Sequence, residues 1–185
     1  MFVPLKRAME QPESMSTFTL ETEIEASKDE VWALLADFGG IHKYMSRIIH
    51  ARLLTDESEG IGVTRHCDLE GKPGKNFMVE RVTAWDEGKL LRFSIDKSNA
   101  PMSAANVSWR LTSTGSGTRL MADFEYQPKF GPLGWVMDKM MMRRMMKANL
   151  TGGLSEIKAV LESGQFEVTD SAVGPAPTVV AGEEA

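Results

Sequence analysis

The sequence predicts an α+β domain in which a curved antiparallel sheet of about seven strands is covered by one long C-terminal helix. Three observations carry that prediction. Short segments of alternating polarity recur between Ser16 and Tyr126, separated by turns rich in Gly, Asp and Asn. The connections between most of them are too short for parallel crossovers, so neighbours run antiparallel. The stretch Gly131 to Gly164, GPLGWVMDKMMMRRMMKANLTGGLSEIKAVLESG, then repeats its apolar residues with a helical period.

Residues 1–15 read as a flexible leader, and Met15 directly precedes the first strand pattern. From Ser16 to Ile24, Phe18, Leu20 and Ile24 alternate with Thr19, Glu21 and Glu23, the signature of a half-buried strand. Ser27-Lys-Asp-Glu30 is a capping box that opens a short helix with Val31, Trp32, Leu34 and Leu35 as its apolar face. Gly39-Gly40 is expected to end it, and Ile41 to Tyr44 to form a second short helical turn. Six further strands are predicted at 47–54, 63–69, 77–85, 90–95, 104–112 and 120–126. Turn chemistry separates them, from DESEGIG (Asp56 to Gly62) through EGKPGKN and Asp86-Glu87-Gly88 to the hairpin turn TGSGT.

In the C-terminal helix, Pro132 suits the first turn and Gly164 the position just past the end. At 100° per residue, Trp135, Met142, Met146, Leu150, Ile157 and Leu161 fall on one flank, with Gly153 and Leu154 beside it. Leu133, Met137, Met140, Met141 and Ala148 form a second apolar sector, so this half of the helix needs cover on two sides. Six of the thirteen methionines lie between Met137 and Met146, a density that suits either core packing or a surface adaptable to varied apolar shapes. Lys139, Arg143, Arg144 and Lys147 make the same segment basic.

A chain of 185 residues with 42% apolar content is large enough for one domain with a real core. Its formal charge of −5 is uneven, since Glu167, Asp170, Glu183 and Glu184 follow the last basic residue, Lys158. Residues 165–185 therefore read as a disordered acidic tail, and the body is near neutral, without the footprint of a nucleic-acid binder. The single cysteine, Cys67, forms no intramolecular disulfide and fits a reducing, cytoplasmic setting. No stretch has the length and apolarity of a signal peptide core or a membrane span, although the basic methionine-rich face leaves peripheral membrane contact open.

No catalytic motif is present, whether metalloprotease, dithiol, phosphate-binding loop or nucleophile elbow. His66 and Cys67 are neighbours on a strand and point to opposite faces. His42, His50 and His66 lie on separate elements without metal-ligand spacing, so no metal and no cofactor is expected. Strand parity sends other polar residues inward. If Met78 and Val82 face the helix, Glu80 does too, and Arg65 shares a face with Val63, Cys67 and Leu69. An inward Arg65–Glu80 pair would fix the polar end of an otherwise apolar ligand, or else serve as a structural ion pair.

Two stretches, Glu25-Ala-Ser-Lys-Asp-Glu-Val-Trp32 and Asp37-Phe-Gly-Gly-Ile-His42, resemble the opening of START-like (SRPBCC) domains. That superfamily includes the polyketide cyclase/dehydrase-like proteins, the birch pollen allergen group and lipid-transfer domains. Gly62-Val-Thr-Arg65, Glu80-Arg-Val82, Asp86 and Pro128 resemble its later markers, and the similarity covers about 16–163. The resemblance implies a helix-grip fold over 16–164, with an apolar cavity between sheet and helix that accepts lipids, polyketides, sterols or hormones. It also implies that the Glu80 position faces the pocket, as in plant hormone-receptor relatives. Tyr44, Phe93, Trp109 and Tyr126 are the expected aromatic liners, Cys67 joins them by parity, and Met137 and Met141 are the expected helix wall. The expected function is binding, transport or sensing of a small, mostly apolar molecule. Its rivals are a cyclase/aromatase-type enzyme and a protein- or membrane-interaction module built on the basic helix face.

Overall fold

The computed structural model describes residues 15–71, 75–100, 102–129 and 141–164. Strand β1 (Ser16–Ile24) leads into helix α1 (Lys28–Ala36) and a 3₁₀ segment (Phe38–Lys43). Six strands follow: β2 (Ile48–Leu53), β3 (Thr64–Leu69), β4 (Phe77–Asp86), β5 (Leu90–Ser98), β6 (Met102–Ser113) and β7 (Thr118–Pro128). Helix α2 (Arg143–Glu162) is the last described element. The sheet order is β1-β7-β6-β5-β4-β3-β2, and every pair is antiparallel. Chain neighbours are therefore sheet neighbours from β2 to β7, while β1 pairs back onto β7.

Local chemistry sets the boundaries. Ser27 accepts from the Glu30 backbone N–H at 3.2 Å, and Glu30 returns a bond to the Ser27 N–H at 2.8 Å, so both ends of the capping box form. Gly88, at φ +68°, closes the tight turn between β4 and β5 in a conformation that side-chain-bearing residues disfavour. Where the sequence predicts a stop at Gly39-Gly40, the backbone runs through both glycines in the 3₁₀ segment. The reason is tight packing: a Cβ on Gly40 would lie 1.9 Å from Asp37 Oδ2.

One face of the sheet is buried along its length, through Phe18, Val82, Leu91, Val107, Leu120 and Phe124 among others. Helix α2 closes that face with Gly153, Leu154 and Ile157, while Met142, Met146, Leu150 and Leu161 pack partly buried against the core. Full burial of Leu154 or Ile157 stabilises by roughly 1.5–3 kcal/mol.

The helix also reaches both edges of the sheet. On the β1 side, Arg143 and Lys158 donate to the carbonyls of Thr17 and Glu23 at 2.7 and 2.5 Å, and the Glu25 N–H donates to Glu162. On the β2 side, Ser46 donates to Glu156, and Arg47 donates to Asn149 at 3.0 Å. On the β1 edge these contacts occupy backbone carbonyls that would otherwise invite another strand.

The second apolar sector of the helix behaves differently from expectation. Leu133, Met137 and Met140 lie outside the described residues. Met141 is 68% exposed and Ala148 is exposed, so neither faces a protein wall. At 100° per residue Met141 sits nearly opposite Ile157, the residue that points into the core.

Candidate functional site

Arg65 on β3 stands directly opposite Glu80 on β4, so the two side chains leave the sheet on the same face. Arg65 Nε donates to Glu80 Oε2 at 2.6 Å, and Nη1 donates to the Phe38 carbonyl at 2.7 Å. The guanidinium lies 3.8 Å from the centroid of the Phe38 ring and 5.3 Å from that of Phe93. Cys67, two residues along β3, donates its thiol to Glu80 Oε2 at 3.6 Å. Arg65 and Glu80 are each only 2% exposed. A buried charge is costly unless paired and hydrogen-bonded, and this one has a carboxylate, a carbonyl and two aromatic rings around it.

The surroundings hold the neighbouring groups in fixed protonation states. Burial works to lower the Arg65 pKa, but the neighbouring groups, led by the Glu80 carboxylate, together raise it, and the guanidinium stays charged. Burial, helped by the Glu80 charge, pushes the Cys67 thiol up to about 12, so it remains a protonated donor. Burial likewise raises the Tyr44 hydroxyl well above the usual phenol range, although Arg65 pulls the other way.

Between this cluster and α2 lies a cavity of about 10 Å³. That is room for about one water molecule. Tyr44, Arg65, Phe93 and Trp109 contribute to its wall from the strands and from the end of the 3₁₀ segment. Phe38, Ile41 and Met45 form the side next to Tyr44, while Leu35, Leu91 and Ile157 complete it. The expected cavity thus lies between sheet and helix, but it is nearly filled by its own side chains.

Among the residues singled out from the sequence, Glu80 and Cys67 sit directly behind Arg65 and not on the cavity wall. Tyr126 is fully buried elsewhere, 6.4 Å from Phe18 and 5.4 Å from Phe124 between ring centroids. Met137 lies outside the described residues. Met141, expected on the helix wall, instead faces away from the cavity and is exposed. The structure adds Phe38, whose backbone carbonyl and ring both serve Arg65. No sequence pattern announces a carbonyl in that role. It also adds Met45, partly buried at the cavity and seated against Gly153, where a Cβ would come within 2.8 Å of its methyl group.

The histidines, far apart in sequence, gather outside this site. His50 and His66 lie 3.6 and 3.1 Å from the two oxygens of Asp68, and the His42 ring is centred 6.0 Å from that of His50. Among the described residues no helix is long and apolar enough to cross a membrane.

No curated protein matches the chain by sequence. Solved structures match it by shape. The di-domain ARO/CYC StfQ from the steffimycin biosynthetic pathway superposes with a TM-score of 0.67 at 18% identity, over 82% of this chain. This chain spans about half of that protein, 52% of its length. The Zhui aromatase/cyclase from Streptomyces sp. R1128 gives a TM-score of 0.69 at 15% identity, covering 83% of this chain and 97% of that one. Ara h 8.0201 gives 0.67 at 14% identity, covering 81% and 99%. At such identities the likeness establishes the START-like, helix-grip fold. The model of the family described as polyketide cyclase/dehydrase and lipid transport matches residues 15–162, nearly the whole described chain, and the protein belongs to that family.

Proposed function

We propose that this chain binds a small, largely apolar molecule between the sheet and α2, with the molecule's polar end held by Arg65 and Tyr44. The observation that carries this reading is the buried Arg65 guanidinium on the wall of an otherwise apolar cavity, held from behind by its ion pair with Glu80. An apolar pair of similar volume would stabilise the core as well or better. A charged pair retained there is best explained by a polar group that it meets in the bound state. Arg65 Nε and Nη1 each make one bond, which leaves further guanidinium donors for a carbonyl or carboxylate oxygen. The protonated Tyr44 hydroxyl supplies another donor.

A guest larger than water requires the cavity to widen. Met45 is the most adaptable wall residue, with three rotatable side-chain bonds and a partly exposed position. Its displacement, with that of Ile41, opens space without disturbing the sheet. A cyclase-type enzyme is the rival. The binding reading is favoured because the Glu80 carboxylate, the nearest candidate base, is held by Arg65 and Cys67.

Native mass spectrometry of freshly purified protein tests the reading. A retained small molecule, lost or depleted in Tyr44→Phe and recovered chemically unchanged after incubation, supports a binder. Recovery of a cyclised product from an added poly-β-ketone would favour the enzyme. Protein that carries nothing and takes up no apolar carboxylate would remove the proposal.

A further inference from the structure

We infer that the N-terminal half of α2, together with the start of β1, is a docking surface for an anionic lipid membrane. This inference does not depend on what the cavity binds. Three large apolar side chains stand in solvent here: Met141, Met145 and Met15, at 68%, 48% and 40% exposure. Met145 on α2 and Met141, in the helical turn that leads into it, are four residues apart, with exposed Arg144 between them and exposed Ala148 a turn further on. Arg143 joins the helix to β1 by donating to the Thr17 carbonyl at 2.7 Å, two residues from Met15. Arg143 and Lys147 lie 5.8 and 5.7 Å from the centroid of the Phe18 ring, which places both at the α2–β1 seam.

The charge on this face is of one sign. From Arg143 to Ser155 helix α2 has three cations and no carboxylate, and Glu156 is its first acid. Among the described residues no carboxylate pairs with Arg143, Arg144 or Lys147. Elsewhere among the described residues four arginines are matched, Arg81 with Asp96, Arg92 with Glu125, Arg110 with Asp123 and Arg119 with Glu23, whereas exposed Arg47 and Arg52 stand singly with no carboxylate partner. A helix face kept only for solvation would mix charges and omit the methionines. Exposed Arg144, with half-exposed Arg143 and Lys147 at the seam beside it, and the exposed flexible methionines instead fit a surface with anionic headgroups above an apolar layer, where methionines insert and basic groups meet phosphate.

The test uses the full chain and sedimentation with two kinds of vesicle, phosphatidylcholine alone and phosphatidylcholine with about a third phosphatidylserine, at low salt and at about 0.5 M salt. Binding to the serine-containing vesicles alone, lost at high salt as screening shortens the reach of charge, is expected. Arg144→Glu should weaken it by about an order of magnitude, from loss and reversal of one surface charge. The pair Met141→Ser and Met145→Ser should weaken it at unchanged salt dependence. All these positions are exposed, and circular dichroism melts confirm that the variants fold. Arg52→Glu, an exposed cation on the opposite edge strand, makes the same change in net charge and should leave binding intact. Absence of vesicle binding by the wild-type chain would overturn the assignment, as would equal losses in Arg144→Glu and Arg52→Glu. Concentration-dependent dimers that disappear in the methionine double variant, without vesicle binding, would give the patch to a second copy of this chain instead.

Discussion

The Arg65–Glu80 pair makes a quantitative demand on stability. Both groups are 2% exposed and 2.6 Å apart, so removal of either leaves the other buried without its main partner. Breaking such a pair costs about 3–5 kcal/mol. Glu80→Gln retains an oxygen that accepts from Arg65 Nε, and the expected loss is near the lower end, about 3 kcal/mol. Arg65→Met removes the bond to the Phe38 carbonyl as well and leaves Glu80 with only the Cys67 thiol, for a loss of about 4 kcal/mol. The double variant holds no buried charge, because a neutral amide faces an apolar side chain. Its loss should fall short of the sum by at least ~2 kcal/mol. Urea titrations of the four proteins, with equal slopes required for comparison, measure the coupling. Additivity within about 0.5 kcal/mol would refute the view that the charges depend on each other.

Other consequences are as direct. Cys67 ionises at about 12 in the native state, against about 8.5 in an unfolded chain, so the unfolded state alone releases this proton between those values. Stability should therefore decline from about pH 8.5 upward by as much as ~1.4 kcal/mol per pH unit, and Cys67→Ala should remove that slope in urea melts up to about pH 10. The same thiol should react with a disulfide reagent at a rate set by opening of the fold, and denaturant should accelerate it. Gly152 and Gly153 form a matched pair on α2. Gly152→Ala meets nothing within 4 Å and should stabilise by about 0.5–1 kcal/mol. Gly153→Ala gains similar helix propensity but must displace the Met45 methyl group, 2.8 Å from the new Cβ. Its net stability should change by less than about 1 kcal/mol, while affinity for an apolar guest changes more than in Gly152→Ala.

The elements most legible in the sequence were those whose signal is local. Alternation in Phe18, Leu20 and Ile24, or in Leu120, Ala122, Phe124 and Tyr126, gives strand and buried face together, and β1 and the capping box of α1 lie where expected. Parity alone brought Arg65 and Glu80 to one face, and the register then set them opposite each other. What stayed hidden depends on contacts between distant segments. The Phe38 carbonyl reaches Arg65 only because the 3₁₀ segment folds back over the sheet, and Gly153 receives Met45 only because α2 passes close to the turn that follows that segment. Tyr126 faces inward as its parity requires, yet it joins Phe18 and Phe124 at the β1–β7 side, a choice no strand pattern encodes. The methionine period does not by itself say which sector is covered, and Met141 proves to be on the open one. The small cavity volume was equally unreadable, because it depends on how the wall side chains fill the space.

The proposed function requires the space beneath α2 to open around Met45 and admit an apolar molecule whose polar end meets Arg65 and Tyr44. The most direct measurement is a nuclear magnetic resonance titration of methyl-labelled methionines with decanoate, kept below its micellar range. Met45 reports the cavity, and exposed Met145 reports the surface. The predicted result is a saturable shift of the Met45 methyl at constant Met145, with affinity reduced about fivefold in Tyr44→Phe by loss of one hydrogen bond. A shift of Met145 alone, or a Met45 signal unmoved to millimolar decanoate, would contradict the claim.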